Sequence, residues 1–161
     1  MPRRSQVRLI LHGAIFMVVT MTVGGPGLWV ALHYGFDEPV RTALRQWHAI
    51  LMTTGIWMIA TGAGLPLLEL TSRGFSWVVW TLVLSGYTFI LSLAVLLLGF
   101  WAYPASRSIA RQIDQVRAMG WFGWINLGLI TFNGVTSIIP AGIIVRGAFM
   151  AMRHTPIDEI R

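Results

Sequence analysis

His48 is the side chain with the clearest chemical potential. It stands at the mouth of a long apolar run, within Arg45-Gln46-Trp47-His48-Ala49-Ile50-Leu51. An imidazole entering a membrane helix is costly to bury without a partner, and a metal is the partner that best rewards the neutral ring. A histidine solvated by headgroups would sit at the same place, so residue type alone leaves both readings open. Spacing adds to this. His48, Gly55 and Gly62 recur every seven residues and share a helical face. Glycines below a histidine leave room for a flat macrocycle ligated by His48. They leave the same room for a second helix packed close.

The other histidines divide by position. His12 and His48 begin their apolar runs from opposite sides, so they should not share a metal. His33 lies toward the same leaflet as His48, and the two can be read as a bis-histidine pair; an interfacial His33 is the alternative. His154 falls in the C-terminal tail and reads as solvated. Asn126 and Asn133 share a face of the last apolar run, where such residues glue helices or line a polar pocket. Ser85, Tyr87, Thr88 and Ser92 give the third run some polar character. The apolar runs hold no carboxylate pair. The chain has no Ser-His-Asp arrangement, no phosphate-binding loop and no nucleotide fingerprint.

These residues sit in a membrane composition: 161 residues, 55% hydrophobic and 11% charged. The absence of cysteine excludes disulfides, thiolate catalysis, Cys-ligated zinc and iron–sulfur clusters. All twelve basic residues are arginine, which excludes Schiff-base chemistry on lysine. The net charge of +6 is scattered between apolar runs, which fits headgroup anchoring and argues against nucleic acid as a partner. Arg3, Arg4 and Arg8 ahead of an apolar run imitate a signal peptide, but the run is too long and carries His12 and a Gly-Gly-Pro-Gly break.

The elements that must position the candidate residues follow from hydropathy. Four apolar segments, roughly 8–33, 47–70, 76–102 and 121–149, are each long enough to cross ~30 Å of hydrocarbon as a helix. The expected fold is all-α: one membrane domain over residues 1–161, a four-helix transmembrane bundle. Gly24-Gly25-Pro26-Gly27 predicts a kink in the first helix. Thr71-Ser72-Arg73-Gly74 predicts a tight turn. Ile109, Ile113 and Val116, opposite Arg107, Arg111 and Arg117, predict a short amphipathic interfacial helix over 105–119. Trp29, Trp47, Trp77, Trp80, Trp101, Trp121 and Trp124 lie near segment ends as an aromatic belt. With four spans both termini share a side, which collects seven arginines against five on the other. That predicts cytoplasmic termini; the expected location is a bacterial inner membrane.

The order of several features resembles a known family. His12-Gly13, then Gly24 to Gly27 with Leu28-Trp29, then Gly35-Phe36, resemble the first helix and first loop of the styrene oxide isomerase family. His48, with Gly55 seven residues on and Leu65-Pro66 closing the helix, resembles that family's second helix without a gap. The resemblance is carried by residues 8–70; beyond them it rests on hydropathy and length. It implies a four-helix membrane protein, a homotrimer binding haem b between subunits, with His48 as axial ligand to the iron. Ferric iron in that family acts as a Lewis acid on an epoxide oxygen, and the ring rearranges to an aldehyde.

This chain departs from the family at three polar positions. Thr54 stands where the family has an Asn, Ser85 where it has an Asp, and Leu93 where it has a Tyr. The expected protein is therefore a haem-b isomerase of the intramolecular oxidoreductase type, acting on an apolar or aryl epoxide. Thr54, Ser85 and Tyr87 are its candidate catalytic residues, with His48, Gly55 and Gly62 around the cofactor. The alternative is a non-catalytic haem-binding or structural subunit of a larger membrane complex, carrying electrons if His33 and His48 both ligate iron.

Overall fold

The computed structural model describes residues 2–33 and 36–154. Gly35 of the first loop, the tail from Thr155 and the side chain of His154 lie outside the described residues. Every described element is helical, in the order α1 (Pro2–Val19), a π-helical turn (Thr20–Gly24), α2 (Gly25–His33), α3 (Glu38–Gly64), α4 (Ser72–Ala102), α5 (Gln112–Ala118) and α6 (Trp121–His154). Short 3-10 turns follow α3 at Leu65–Leu67 and α4 at Pro104–Ser108. Four stretches are long and apolar enough to cross a membrane: Arg3–Val30, Glu38–Leu67, Ser72–Ala102 and Trp121–Arg153.

The predicted kink takes a specific form. Pro26 has no N–H to give, and the chain accommodates it by widening the preceding turn: the Gly25 N–H bonds back to the Thr20 carbonyl, five residues earlier. The first span is thus α1 and α2 joined through a π turn rather than a broken helix. Such turns occur often at functional sites.

The helices pack mainly as two pairs, α1 on α3 and α4 on α6, with α4 also meeting α1 and α3. Small residues make the first pair possible. A Cβ on Gly13 would stand 2.7 Å from the Gly55 carbonyl oxygen, and one on Gly62 would stand 2.9 Å from the Ile10 side chain. Leu9, Phe16, Leu51, Met58, Leu65 and Val78 fill the core where α1, α3 and α4 meet. A second cluster, with Val40, Ala43, Leu93, Phe100 and Met119, closes the end nearer the first loop.

The interfacial segment is shorter than its pattern predicts. Only Gln112–Ala118 is α-helical, and Ile109 and Arg111 precede it. Local hydrogen bonds divert the first half of the segment. Ser106 and Ser108 donate to the carbonyls of Tyr103 and Ala105, a competition with helix that serine offers readily. Arg107 Nε donates to the Phe100 carbonyl, and its Nη1 meets Asp37 of the first loop at 2.6 Å. Val116 is buried while Ile113 stays exposed.

Candidate functional site

Four polar side chains from three helices line a cleft over α4, between α3 and α6. Thr54 of α3, Ser85 of α4, and Asn133 and Ser137 of α6 line a cavity of about 250 Å³ whose walls include Ile50, Trp57, Leu82 and Phe89. Helical spacing explains the convergence. Ile50, Thr54 and Trp57 lie at i, i+4 and i+7 on α3, and Asn133 and Ser137 lie one turn apart on α6.

The hydrogen bonds can be counted proton by proton. Ser137 Oγ donates to the Asn133 carbonyl at 2.8 Å. The 2.7 Å contact between the two serine hydroxyls must then be donated by Ser85, because a hydroxyl carries one proton. Asn133 Nδ2 donates to the Ser85 carbonyl at 2.6 Å and to Ser85 Oγ at 3.1 Å. Both serine protons are therefore spent. The Thr54 hydroxyl and the Asn133 Oδ1 make no hydrogen bond among the described residues, and each keeps accessible surface. The cavity lining thus offers two unspent donors, the Thr54 hydroxyl and the Trp57 indole N–H, and one acceptor-only side-chain atom, Asn133 Oδ1.

His48 occupies a different face. Six residues separate it from Thr54, which sets the two side chains about 120° apart around α3. The ring is half-buried against the π turn, where a Cβ on Gly24 would stand 3.1 Å from Nδ1. Nδ1 is buried and unpaired, while Nε2 keeps accessible surface and makes no hydrogen bond among the described residues. An imidazole with neither nitrogen committed to the protein is free to ligate a metal. No group of three or more His, Cys, Asp or Glu side chains gathers among the described residues. A macrocycle that brings its own four nitrogens needs only one protein ligand, so His48 fits haem better than a metal held by side chains alone.

The remaining candidates are dispersed. Gly55 and Gly62 do share a face, but α1 fills it: Gly55 abuts the Gly13 carbonyl and Met17, and Gly62 abuts Gln6, Leu9 and Ile10. Within the subunit the glycine face is a helix-packing seam, not an open groove. Tyr87, two residues beyond Ser85, points away from the cavity. Its hydroxyl lies 3.2 Å from His12 Nδ1 and its ring packs edge-on against Phe16. His12 lies one residue from Gly13, level with Gly55, whereas His48 is level with Gly24; as expected, they do not meet. His33 donates from Nδ1 to the Trp29 carbonyl at 2.8 Å and stacks on the Trp29 ring. It is nine residues beyond Gly24, about 13 Å along the helix, so the two rings are not in contact within one subunit. Asn126 is a glue residue, accepting from Ser92 at 2.8 Å in a buried contact. Leu93 is packed in the second core cluster and brings no polar atom to the cavity.

Ser137 escaped sequence reasoning, although its position four residues after Asn133 was a usable signal. Larger clefts lie along α6 beside Trp124 and Phe132, about 550 Å³, between α2, α3 and α4, about 580 Å³, where the polar groups are the paired Asp37 and Arg107, beside Arg3, Arg4 and Arg8, about 740 Å³, and beside Trp77 and Trp80, about 450 Å³. The last two belong to the charged and aromatic rims, and neither gathers polar side chains from several helices.

Comparison with known proteins adds one match. The family model described as styrene oxide isomerase matches residues 5–149, from the first turns of α1 almost to the end of α6. No curated protein and no solved structure matches the chain.

Proposed function

This chain belongs to the styrene oxide isomerase family, and from that premise we propose that it isomerises small aryl or otherwise apolar epoxides to aldehydes, in a bacterial inner membrane with cytoplasmic termini. The observation that carries this reading is the convergence of Thr54 and Ser85 on one cavity. These are two of the three positions at which the family resemblance places polar site residues. The cavity's size suits a molecule with a single aromatic ring, and its walls are largely apolar.

His48 is the residue that would hold haem b, through Nε2. When bound, the haem supplies a Lewis acid for the epoxide oxygen. The chain's own residues do the rest. Trp57, Phe89, Ile50 and Leu82 orient an aryl group and exclude water that would trap a cationic carbon as a diol. The Thr54 hydroxyl, with no competing partner, donates to the substrate oxygen as negative charge grows there.

His48 and the cavity of the same chain face different directions. A homotrimer resolves this: a head-to-tail ring sets the His48 face of one copy against the cavity face of the next. The test uses purified protein and phenyloxirane. A haem absorption spectrum, its loss in His48→Ala and formation of phenylacetaldehyde are the expected results. A protein that carries haem and leaves every aryl epoxide unconverted would remove the isomerase reading.

A further inference from the structure

We propose that the free amide oxygen of Asn133 meets the positive charge that develops on the substrate carbon, and that Ser85 and Ser137 hold it there; this rests on the isomerase reading. Opening an aryl epoxide breaks the benzylic C–O bond, and the bonding pair leaves with oxygen. Hydride then migrates with its pair from the neighbouring carbon to the benzylic carbon, and an oxygen pair closes the C=O bond. No external oxidant, reductant or net proton is needed. Such a reaction asks a site for two things: a donor for the oxygen and negative potential for the carbon.

The cavity lining holds unspent atoms for both demands. Thr54 supplies the donor. The carbon has Asn133 Oδ1, since no carboxylate among the described residues lines the cavity. The orientation of that amide is fixed by its surroundings. Nδ2 donates to the Ser85 carbonyl and hydroxyl; turning the amide over would set Oδ1 against the Ser85 carbonyl, two acceptors face to face with no proton between them. Ser137 locks the arrangement by accepting from Ser85 and donating to the Asn133 backbone. An amide oxygen also suits the task chemically. It presents negative potential to a cation but is a poorer nucleophile than a carboxylate, which would capture the carbon as an ester. The rings of Trp57 and Phe89 border the same space.

The experiment compares two fluorinated probes by ¹⁹F NMR on the full-length protein in detergent. 4-Fluorobenzylammonium carries a positive charge next to the ring, and 4-fluoroethylbenzene is its neutral counterpart. Asn133→Leu is expected to weaken ammonium binding about tenfold, the size of one hydrogen bond to a charged group, and to leave the hydrocarbon unchanged. Turnover of phenyloxirane should fall in kcat with little change in KM. Ser137→Ala, which removes one restraint and little volume, should shift both quantities the same way by less, and it answers the question if Asn133→Leu does not assemble. Equal ammonium affinity in all three proteins overturns the proposal. Epoxide conversion by the wild type alongside that result would remove Asn133 and keep the isomerase. Selective ammonium binding with no epoxide converted would remove the isomerase reading, and this role with it.

Discussion

Gly24 and His48 are in direct apposition: a Cβ on the glycine would stand 3.1 Å from the ring's Nδ1 and 4.0 Å from Cε1. The contact links two sequence features that are 24 residues apart, the Gly-Gly-Pro-Gly break and the histidine. The π turn ending at Gly24 sets the backbone against the imidazole edge and leaves Nδ1 without a partner. Gly24→Ala should therefore tilt the ring, and haem affinity should fall by about 10-fold or more, the usual effect of disturbing a ligand's supporting contacts. Haem titration of the apoprotein would measure this. Unchanged affinity would show that the π turn does not position His48.

Gly24→Ser asks a subtler question at the same place. A serine hydroxyl there can accept from Nδ1–H, and such a bond makes an imidazole a stronger donor to its metal. The reduction potential of the bound haem should drop in Gly24→Ser and hold in Gly24→Ala. A potential that is the same in both would mean that Nδ1 has no influence on the iron.

Gly55 and His48 should separate on mutation, although the sequence puts them on one face. Gly55→Leu forces a branched side chain against the Gly13 carbonyl and Met17. Overpacking of this kind costs about 1–3 kcal/mol, so thermal stability should fall clearly. His48→Ala should lose haem while the protein still inserts and melts close to wild type without haem. His33→Ala, outside this contact, should leave the haem spectrum as it is. A Gly55→Leu protein with wild-type stability would contradict the packing role.

The sequence carried the fold further than the site, and the reason is physical. Membrane spans are encoded by runs of hydropathy, which one chain displays openly; all four expected spans correspond to long helices, most ends shifted by a few residues and the second span starting at Glu38 instead of 47. Thr54 and Ser85 were identifiable only by position in a family pattern. Their convergence with Asn133 and Ser137 depends on how α6 is rotated against α4, which no single segment's periodicity states. The glycine face was ambiguous for the same reason, since a groove for a ring and a seam for a helix need the same small residues. The interfacial helix was overextended because apolar spacing of Ile109, Ile113 and Val116 ignores serine hydroxyls that bond back to the chain. Nitroxide labels should accordingly show helical periodicity across 112–118 alone; periodicity running through 105–111 would restore the longer helix.

Thr54 gives the last prediction, and it turns on hydrogen-bond accounting. Neighbouring Thr53 spends its proton on the Ala49 carbonyl at 2.8 Å, and Thr81, Thr88 and Thr136 spend theirs on carbonyls within their own helices. Thr54 does not, and it lines the cavity. An epoxide oxygen can only accept, and both serine protons are committed, so Thr54 is the cavity hydroxyl with a proton to give. Thr54→Val preserves shape and removes that proton; kcat should fall by roughly 10²–10³, the usual loss for a donor aimed at developing negative charge. Thr54→Asn restores the family's residue type with a donor of its own and should retain most of the turnover. Tyr87→Phe, on the His12 side of α4, should leave kcat within about twofold of wild type, as expected for a residue that makes no contact in the transition state. The measurement is phenylacetaldehyde formation at saturating phenyloxirane for the three variants. If Thr54→Val turns over like wild type while Tyr87→Phe is impaired, the working donor lies on the His12 face and this cavity is not where the oxygen sits.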